Sequence, residues 1–249
     1  TDPCIHDVAA MWAAQGGKSE IMNNVIGRFA HLDPCPIMMI QPTLTDGEDY
    51  SKRRISPMIR ATQVLKEIFA DPKTRDSGNT ILAKFFPGGS LNISGANSPS
   101  SLASKPIRIL LCDEIDRYPD SAGGEGDPIS LAEKRTTTYW NRLVAKFSTP
   151  TSKGASRIED EYALGTQEEW QHQCPNCKEF HLLSHINMKC DYTQKIDKKK
   201  VKHVHVKSVA WVCPDCGFSF SEQTMKQQPQ KYVAQNPEAR QEGRRSFHV

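Results

Sequence analysis

Apolar runs alternate with amphipathic stretches through roughly the first 150 residues, the arrangement that a parallel sheet with crossover helices demands. Four strands are predicted, at 8–13, 37–41, 107–112 and 144–148. Each ends in a polar or Gly/Pro loop, and open α/β sheets bind ligands at that end of their strands. Between the first two, residues 19–30 place Ile21, Met22, Val25, Ile26 and Phe29 at helical spacing, with Ser19 available as an N-cap. That stripe reads as core packing. Residues 48–70 are predicted helical with an interruption at Pro57, while 80–86 and 90–94 flank Pro87-Gly88-Gly89 as a hairpin. From about Glu168 the pattern changes to short strands, and 222–249, rich in Gln, Glu and Arg, reads as a polar helix or linker. The expected organisation is an α/β unit over 1–167, a small β-rich unit over 168–221 and a linker over 222–249, without internal repeats.

Composition narrows the class. With 249 residues, 37% hydrophobic and 24% charged, the chain is an ordinary globular one, neither disordered nor fibrous. No apolar run reaches the ~18–20 residues of a membrane span and no signal-peptide pattern opens the chain, so a soluble, non-secreted protein is expected. Eight Cys are too few for a disulfide scaffold of this length, and four of them form two CxxC pairs. Metal binding in a reducing compartment is the better reading. A net charge of +3 is too small to diagnose a nucleic-acid partner, so the distribution of charge must carry that argument.

The first chemical constellation runs from Ala13 through Gln15-Gly16-Gly17-Lys18-Ser19, between a predicted strand and a predicted helix. A triphosphate needs successive backbone N–H groups, a helix N-terminus, a Lys and a Mg²⁺-binding hydroxyl, and this turn supplies all four. Gly17, Lys18 and Ser19 fit the usual phosphate-loop spacing, but Trp12 occupies the leading Gly position, so the loop is a variant. Taken alone it reads equally well as a helix-capping turn. The second constellation is Asp113-Glu114 at the end of the apolar run 107–112. One carboxylate, Asp113, can hold Mg²⁺ while its neighbour Glu114 orients or deprotonates an attacking water. The competing reading is the start of a solvated helix at Asp113, Glu114 and Asp116. Ser148-Thr149-Pro150-Thr151 closes the next apolar run, either as hydroxyls that sense a γ-phosphate or as an ordinary turn before Pro150.

Cys174-Pro175-Asn176-Cys177 and Cys213-Pro214-Asp215-Cys216 are turns of the kind that present paired thiolates to tetrahedral Zn²⁺, with 35 residues between them. Four thiolates close the coordination shell, which makes such a metal structural. His172, His181 and Cys190 read as bystanders. The intervening stretch is basic, eight Lys against three acids over 178–212 with a run at 195–202, and reads either as a backbone-tracking phosphate contact or as a solvated hairpin tip. Lys134 and Arg135, followed by three Thr, Tyr139 and Trp140, are the better candidates for contacting DNA or a neighbouring subunit, although Trp140 also suits a core.

Taken together, Gly17-Lys18-Ser19-Glu20, Gln41-Pro42-Thr43, Phe86-Pro87-Gly88-Gly89, Gly95-Ala96-Asn97-Ser98-Pro99, the run from Cys112-Asp113-Glu114 to Pro119, Gly126-Asp127-Pro128, Lys134-Arg135-Thr136-Thr137-Thr138 and Ser148-Thr149-Pro150-Thr151 resemble the ATPase domain of the large terminase subunit of tailed phages, of the lambda-like class. The resemblance covers nearly the whole chain. It implies a P-loop NTPase of the additional-strand (RecA/ASCE-like) type, a mainly parallel sheet with helices on both faces, beside a zinc-ribbon-like module. It implies a motor that couples ATP hydrolysis to translocation of double-stranded DNA into a procapsid, working in the host cytoplasm as a homo-oligomer with a small subunit and a portal, and without a membrane. By that likeness Gln15, Gly16, Gly17, Lys18 and Ser19 form the phosphate loop, Ser19 and Asp113 hold Mg²⁺ with ATP, Glu114 is the catalytic base, and Ser148, Thr149 and Thr151 couple hydrolysis to movement. Many relatives carry Arg before the acidic strand as a trans-acting finger; this chain has Ala103, Lys105 and Arg108 there, leaving Lys105 and Arg108 as the candidate cations. The family's nuclease and part of its adenine-side region are expected to lie outside this stretch. The rival readings are a superfamily-2 helicase or translocase, and a catalytically weak zinc-dependent DNA-binding or assembly module.

Overall fold

The structure is a computed structural model that describes residues 2, 4–14, 16–69, 78–152, 154–196 and 202–249. In chain order it contains β1 (Asp7–Met11), α1 (Lys18–His31), β2 (Pro36–Gln41), α2 (Leu44–Tyr50), a π-helical turn (Ser51–Ile55), α3 (Ser56–Ala61), α4 (Gln63–Ile68), β3 (Ala83–Phe86), β4 (Gly89–Gly95), α5 (Pro99–Leu102), β5 (Ile109–Asp113), a 3-10 turn (Ile115–Arg117), α6 (Pro128–Glu133), β6 (Leu143–Ser148) and α7 (Arg157–Leu164). There follow β7 (Glu168–Gln173), β8 (Phe180–Leu182), β9 (Met188–Ile196), β10 (Lys202–Val212), β11 (Ser219–Ser221), α8 (Glu222–Lys226), β12 (Gln230–Ala234), a 3-10 turn (Pro237–Arg240) and β13 (Arg244–His248). The chain forms two compact units, Thr1–Gln167 with Asn236–Val249, and Glu168–Gln235.

In the first unit the strands run in the order β13-β1-β6-β5-β2-β4-β3. Every pair is parallel except the β3–β4 hairpin. Strand residues alternate between two cores because successive side chains leave opposite faces. Ala10, Ile37, Met39, Ile109, Leu111, Ala145 and Phe147 pack with Met22, Ile26 and Phe29 of α1. Ala9, Met38, Ile40, Leu110, Cys112 and Val144 pack with Leu102, Ile129, Ala132 and Ile158 of α5, α6 and α7. Both faces are covered, which is why these strands read as continuous apolar runs. One consequence of this order bears on the site: β6 lies between β1 and β5.

Three details differ from the sequence expectations. The first helix begins at Lys18 with Gly17 as its N-cap, so Ser19 lies inside the helix. The 48–70 stretch breaks at Thr62, whose extended backbone separates α3 from α4, and its last residue lies outside the described ones. Pro57 is accommodated at the start of α3 by the wider π turn before it, where its missing N–H breaks no α-type bond. Most of all, 222–249 is no linker. Its first half supplies α8 and β12, the latter antiparallel to β7, and its end returns as β13, parallel to β1. The strand escapes hydrophobic pattern reading because its buried centre, Ser246, is satisfied by polar partners: its Oγ donates to the Tyr162 carbonyl at 2.7 Å and accepts the Gln167 N–H at 2.7 Å.

The second unit holds β7 between β8 and β12 and a separate antiparallel sheet β11-β10-β9. Its small core is Cys174, Cys213, Trp211 and Phe220. The basic run at 195–202 falls at the β9–β10 hairpin, and its residues 197–201 lie outside the described ones.

Candidate functional site

The loop after β1 starts beside the end of β6, where the Trp12 N–H donates to the Ser148 carbonyl at 2.9 Å. Trp12 is buried, and its indole packs so closely on Gly16 that a Cβ there would collide with it. The Trp at the variant position is thus a core residue that fixes the loop, and Gly16 is required by close approach. Gly17 has φ 88°, a left-handed conformation that favours glycine, and no side chain caps the 14-residue helix it opens. Gly16, Gly17, Lys18 and Ser19 border a cavity of about 510 Å³, shared with Ala13, Glu114, Thr149 and Thr151. Backbone N–H groups at an uncapped helix start favour an anion. Gln15 lies outside the described residues. The Tyr50 hydroxyl, 3.1 Å from the Ser19 carbonyl and 3.0 Å from Asn23 Oδ1, ties α2 to the first turns of α1, and burial pushes its pKa up.

Asp113 is the last residue of β5, a strand buried throughout. Its Oδ2 accepts the Gln41 side-chain N–H at 3.0 Å. Its Oδ1 is buried and has one neighbour of note, the Lys18 ammonium at 3.0 Å, with no other hydrogen-bond partner among the described residues. Lys18 also pairs with Glu114. Glu114 has φ 54° and ψ 51°, a strained backbone for a residue with a side chain, which ends the strand and starts the 3-10 turn. The lysine from one strand end and the two carboxylates from another therefore meet, although β6 lies between their strands.

Asp116, in the same 3-10 turn, ties this corner to the next loop. Its Oδ2 accepts the Thr151 N–H at 3.0 Å, the Thr151 hydroxyl at 3.2 Å and the Ser156 hydroxyl at 2.7 Å, and its Oδ1 accepts the Ile158 N–H at 2.9 Å. The Asp116 N–H donates to Ser148 Oγ at 3.3 Å. Of the predicted coupling residues, Thr149 and Thr151 line the cavity, while Ser148 lies behind them, fully buried.

The structure separates the remaining basic candidates from this cavity. Arg108 precedes β5, at the end opposite Asp113, and is spent on a two-point pair with Asp33 at 2.8 and 2.6 Å. Its guanidinium holds the Asp33 carboxyl below the usual carboxylate value. Lys105 borders a different cavity with Pro36 and Ile107. Lys134 borders a third cavity with His6, Arg142 and Arg244 at the starts of β1, β6 and β13. Arg135 accepts the Ile107 N–H on its carbonyl near that same edge. Trp140 is 83% exposed and belongs to no core. Besides Lys18, the cations that border the phosphate-loop cavity among the described residues are Arg54 and Arg117, neither singled out in the sequence. Arg117 was within reach of sequence reasoning, three residues after Glu114; Arg54 was not, since only the path of α2 and the π turn brings it there.

In the second unit Cys174, Cys177, Cys213 and Cys216 place their sulfurs within 4.8 Å of one another. Cys174 and Cys216 are 3.7 Å apart, as are Cys177 and Cys213. A tetrahedral ion with Zn–S bonds of about 2.3 Å separates its sulfurs by about 3.8 Å. Each turn ends in a left-handed residue, Lys178 at φ 68° and Gly217 at φ 69°, so the two are alike in backbone. His181 lies toward Asp215 Oδ2 at 3.6 Å and is not in the cluster.

A mostly parallel sheet with helices on both faces, gathering a glycine-flanked lysine and two carboxylates at the C-terminal ends of its strands, defines an α/β domain suited to a polyanionic ligand. The chain belongs to the phage terminase large subunit gpA, ATPase domain family, whose sequence profile matches residues 1–234. It is similar to the terminase large subunit of Enterobacteria phage P21, at 23% identity over 237 residues, covering 93% of this chain and 36% of that protein. It is also similar to the terminase large subunit of Escherichia phage lambda, at 25% identity over 178 residues, covering 70% of this chain and 28% of that protein. The chain thus spans about a third of the length of these relatives. Among solved structures, the large terminase of bacteriophage HK97 superposes with a TM-score of 0.51 at 13% identity, covering 64% of this chain and 33% of that one, a likeness of fold. No helix among the described residues is long and apolar enough to cross a membrane.

Proposed function

We propose that this chain is the ATP-hydrolysing motor part of a phage DNA-packaging terminase, turning hydrolysis into translocation of double-stranded DNA into a procapsid in the host cytoplasm. The observation that carries this reading is the meeting of Lys18 with Asp113 and Glu114 beside the cavity that Lys18 and Glu114 border. The order of β1, β6 and β5 supports an additional-strand P-loop fold. DNA, a small subunit, a portal and self-assembly into a ring are partners that the family membership suggests.

The donor set fits ATP with magnesium. The cavity lies in the size range of small-molecule sites. Asp113 Oδ1 is a buried acceptor facing a single cation, Lys18, and Ser19 offers a hydroxyl on the cavity that Lys18 borders. Ser19 and Asp113 would hold the ion, which when bound neutralises the charge on the β- and γ-phosphates. Lys18 exchanges its carboxylate partners for phosphate oxygens. Freed from Lys18, Glu114 accepts the proton of the attacking water. Thr149 and Thr151 line the cavity that would hold the terminal phosphate, and Asp116 links Thr151 to the turn that carries Glu114. We propose further that the four cysteines hold a structural Zn²⁺, a reading supported by sulfur separations that match tetrahedral thiolates.

The test is MgATP binding and turnover by the chain, with and without duplex DNA. Lys18→Ala abolishes binding, and Glu114→Gln preserves binding while stopping turnover. Wild-type turnover in Glu114→Gln would refute the base assignment.

A further inference from the structure

The phosphate-loop cavity has a neighbour. This second cavity, of about 250 Å³ and bordered by Gln41, Asp46, Asp49, Tyr50 and Arg53, shares three residues with it: Arg54, Glu114 and Arg117. Two guanidinium groups thus frame the carboxylate that the proposed reaction uses as its base. Their supports are independent. Arg117 stands on the 3-10 turn that Asp116 fastens to Thr151, Ser156 and Ile158, so its backbone is fixed relative to Glu114 and to the Thr149–Thr151 wall. It pairs with no carboxylate among the described residues. Arg54 stands on the π turn Ser51–Ile55, a local widening that often marks functional positions, and its Nη1 lies 3.6 Å from Glu20 in the first turn of α1.

Charge explains why both are needed. Without them the site has one cation, Lys18, against Glu20, Asp113 and Glu114. An Mg²⁺–triphosphate complex brings a further net negative charge, and phosphoryl transfer spreads more of it onto the γ-oxygens. A pocket so composed repels its own substrate. Arg54 and Arg117 bring the count to three against three. Lys105 and Arg108, the candidates for acting on a neighbouring subunit, do not border this chain's own cavity.

We propose that Arg117 is a catalytic residue acting in cis, donating to the γ-phosphoryl oxygens beside Glu114, with Arg54 holding the phosphate chain from the α1 side after leaving Glu20. The inference rests on the nucleotide reading above, and its test separates the two. The measurements are affinities of the full chain for MgADP and for MgADP with aluminium fluoride, a mimic of the transferring group, together with ATP turnover. A guanidinium that contacts the γ-group discriminates between these two ligands; one that merely braces the fold does not.

Arg117 is exposed, so Arg117→Ala is expected to fold normally. It leaves MgADP affinity within about twofold and weakens the fluoride complex by about 10- to 100-fold, the size of one charge-assisted hydrogen bond. Turnover falls by at least as much, and Arg117→Lys recovers part of it, since a lysine restores charge without the planar fork. Arg54→Ala weakens both complexes together. If Arg117→Ala keeps the wild-type preference for the fluoride complex, or if the wild-type chain has no such preference, the inference is overturned while the nucleotide reading stands. If the wild-type chain binds neither complex better than Lys18→Ala does, the nucleotide reading itself fails and takes the inference with it.

Discussion

The side-chain amide of Gln41, at the end of β2, donates to Oδ2 of Asp113, at the end of the neighbouring strand β5, across 3.0 Å. Both residues are buried, so the bond fixes the carboxylate plane and leaves Oδ1 directed at Lys18. Groups that orient a metal-binding carboxylate from behind typically change metal affinity or activity by about 10- to 100-fold when lost. Gln41→Leu, which keeps the volume, is expected to lower ATP turnover by about that factor and to raise the Mg²⁺ concentration needed for half activity. A magnesium titration checks it, and an unchanged midpoint would show that the amide has no bearing on Asp113.

Asp116 accepts four hydrogen bonds, two from backbone N–H groups and two from hydroxyls. Its removal leaves the Thr151 and Ile158 N–H groups without their acceptor, at a cost of about 3 kcal/mol. For a unit of this size Asp116→Ala is expected to lower Tm by roughly 6–12 °C. Turnover is expected to fall more than MgADP affinity, because the loop bearing Thr149 and Thr151 loses its tie to Glu114. Calorimetry and a binding isotherm on the same preparation test both halves; equal losses of binding and turnover would assign Asp116 to stability alone.

Arg108 is expected to contribute to stability and not to turnover. Its pair with Asp33 is partly exposed on the aspartate side, so Arg108→Ala costs only about 1 kcal/mol. Because Asp33 titrates lower in the folded chain than its ordinary 3.8, the contribution is complete above about pH 4 and fades as pH falls through the folded value. Urea unfolding at pH 7 and pH 3 should show the variant and the parent converging in acid. Loss of turnover upon mixing the variant with other subunits would instead restore the trans-finger assignment.

The cysteine cluster predicts about one Zn²⁺ per chain, measurable by elemental analysis. Cys216→Ser is expected to lose the metal and to expose Glu168–Gln235 to protease, since a structural site contributes its binding energy to folding. MgATP affinity is expected to survive, because every residue of the nucleotide cavity belongs to the other unit. Full zinc content in Cys216→Ser would remove that residue from the ligand set.

Much of this was legible along the chain because the signals are local. The apolar runs give β1, β2, β5 and β6 within one or two residues, since a strand covered on both faces can tolerate little else. The two CxxC turns stand out by their spacing, whereas Gly17-Lys18-Ser19 and Asp113-Glu114, each ambiguous alone, gain meaning by occurring together at the ends of apolar runs. What the tertiary structure decided is everything that depends on which strand lies beside which. It paired Arg108 with Asp33 at the start of β5 and brought Arg54 and Arg117 to the cavity. It also turned a polar tail into β13, because a strand can be held by backbone pairing and by a buried serine whose partners are polar. Periodicity reads burial in apolar surroundings; it is blind to burial satisfied by hydrogen bonds, and to charges whose partners arrive from distant parts of the sequence.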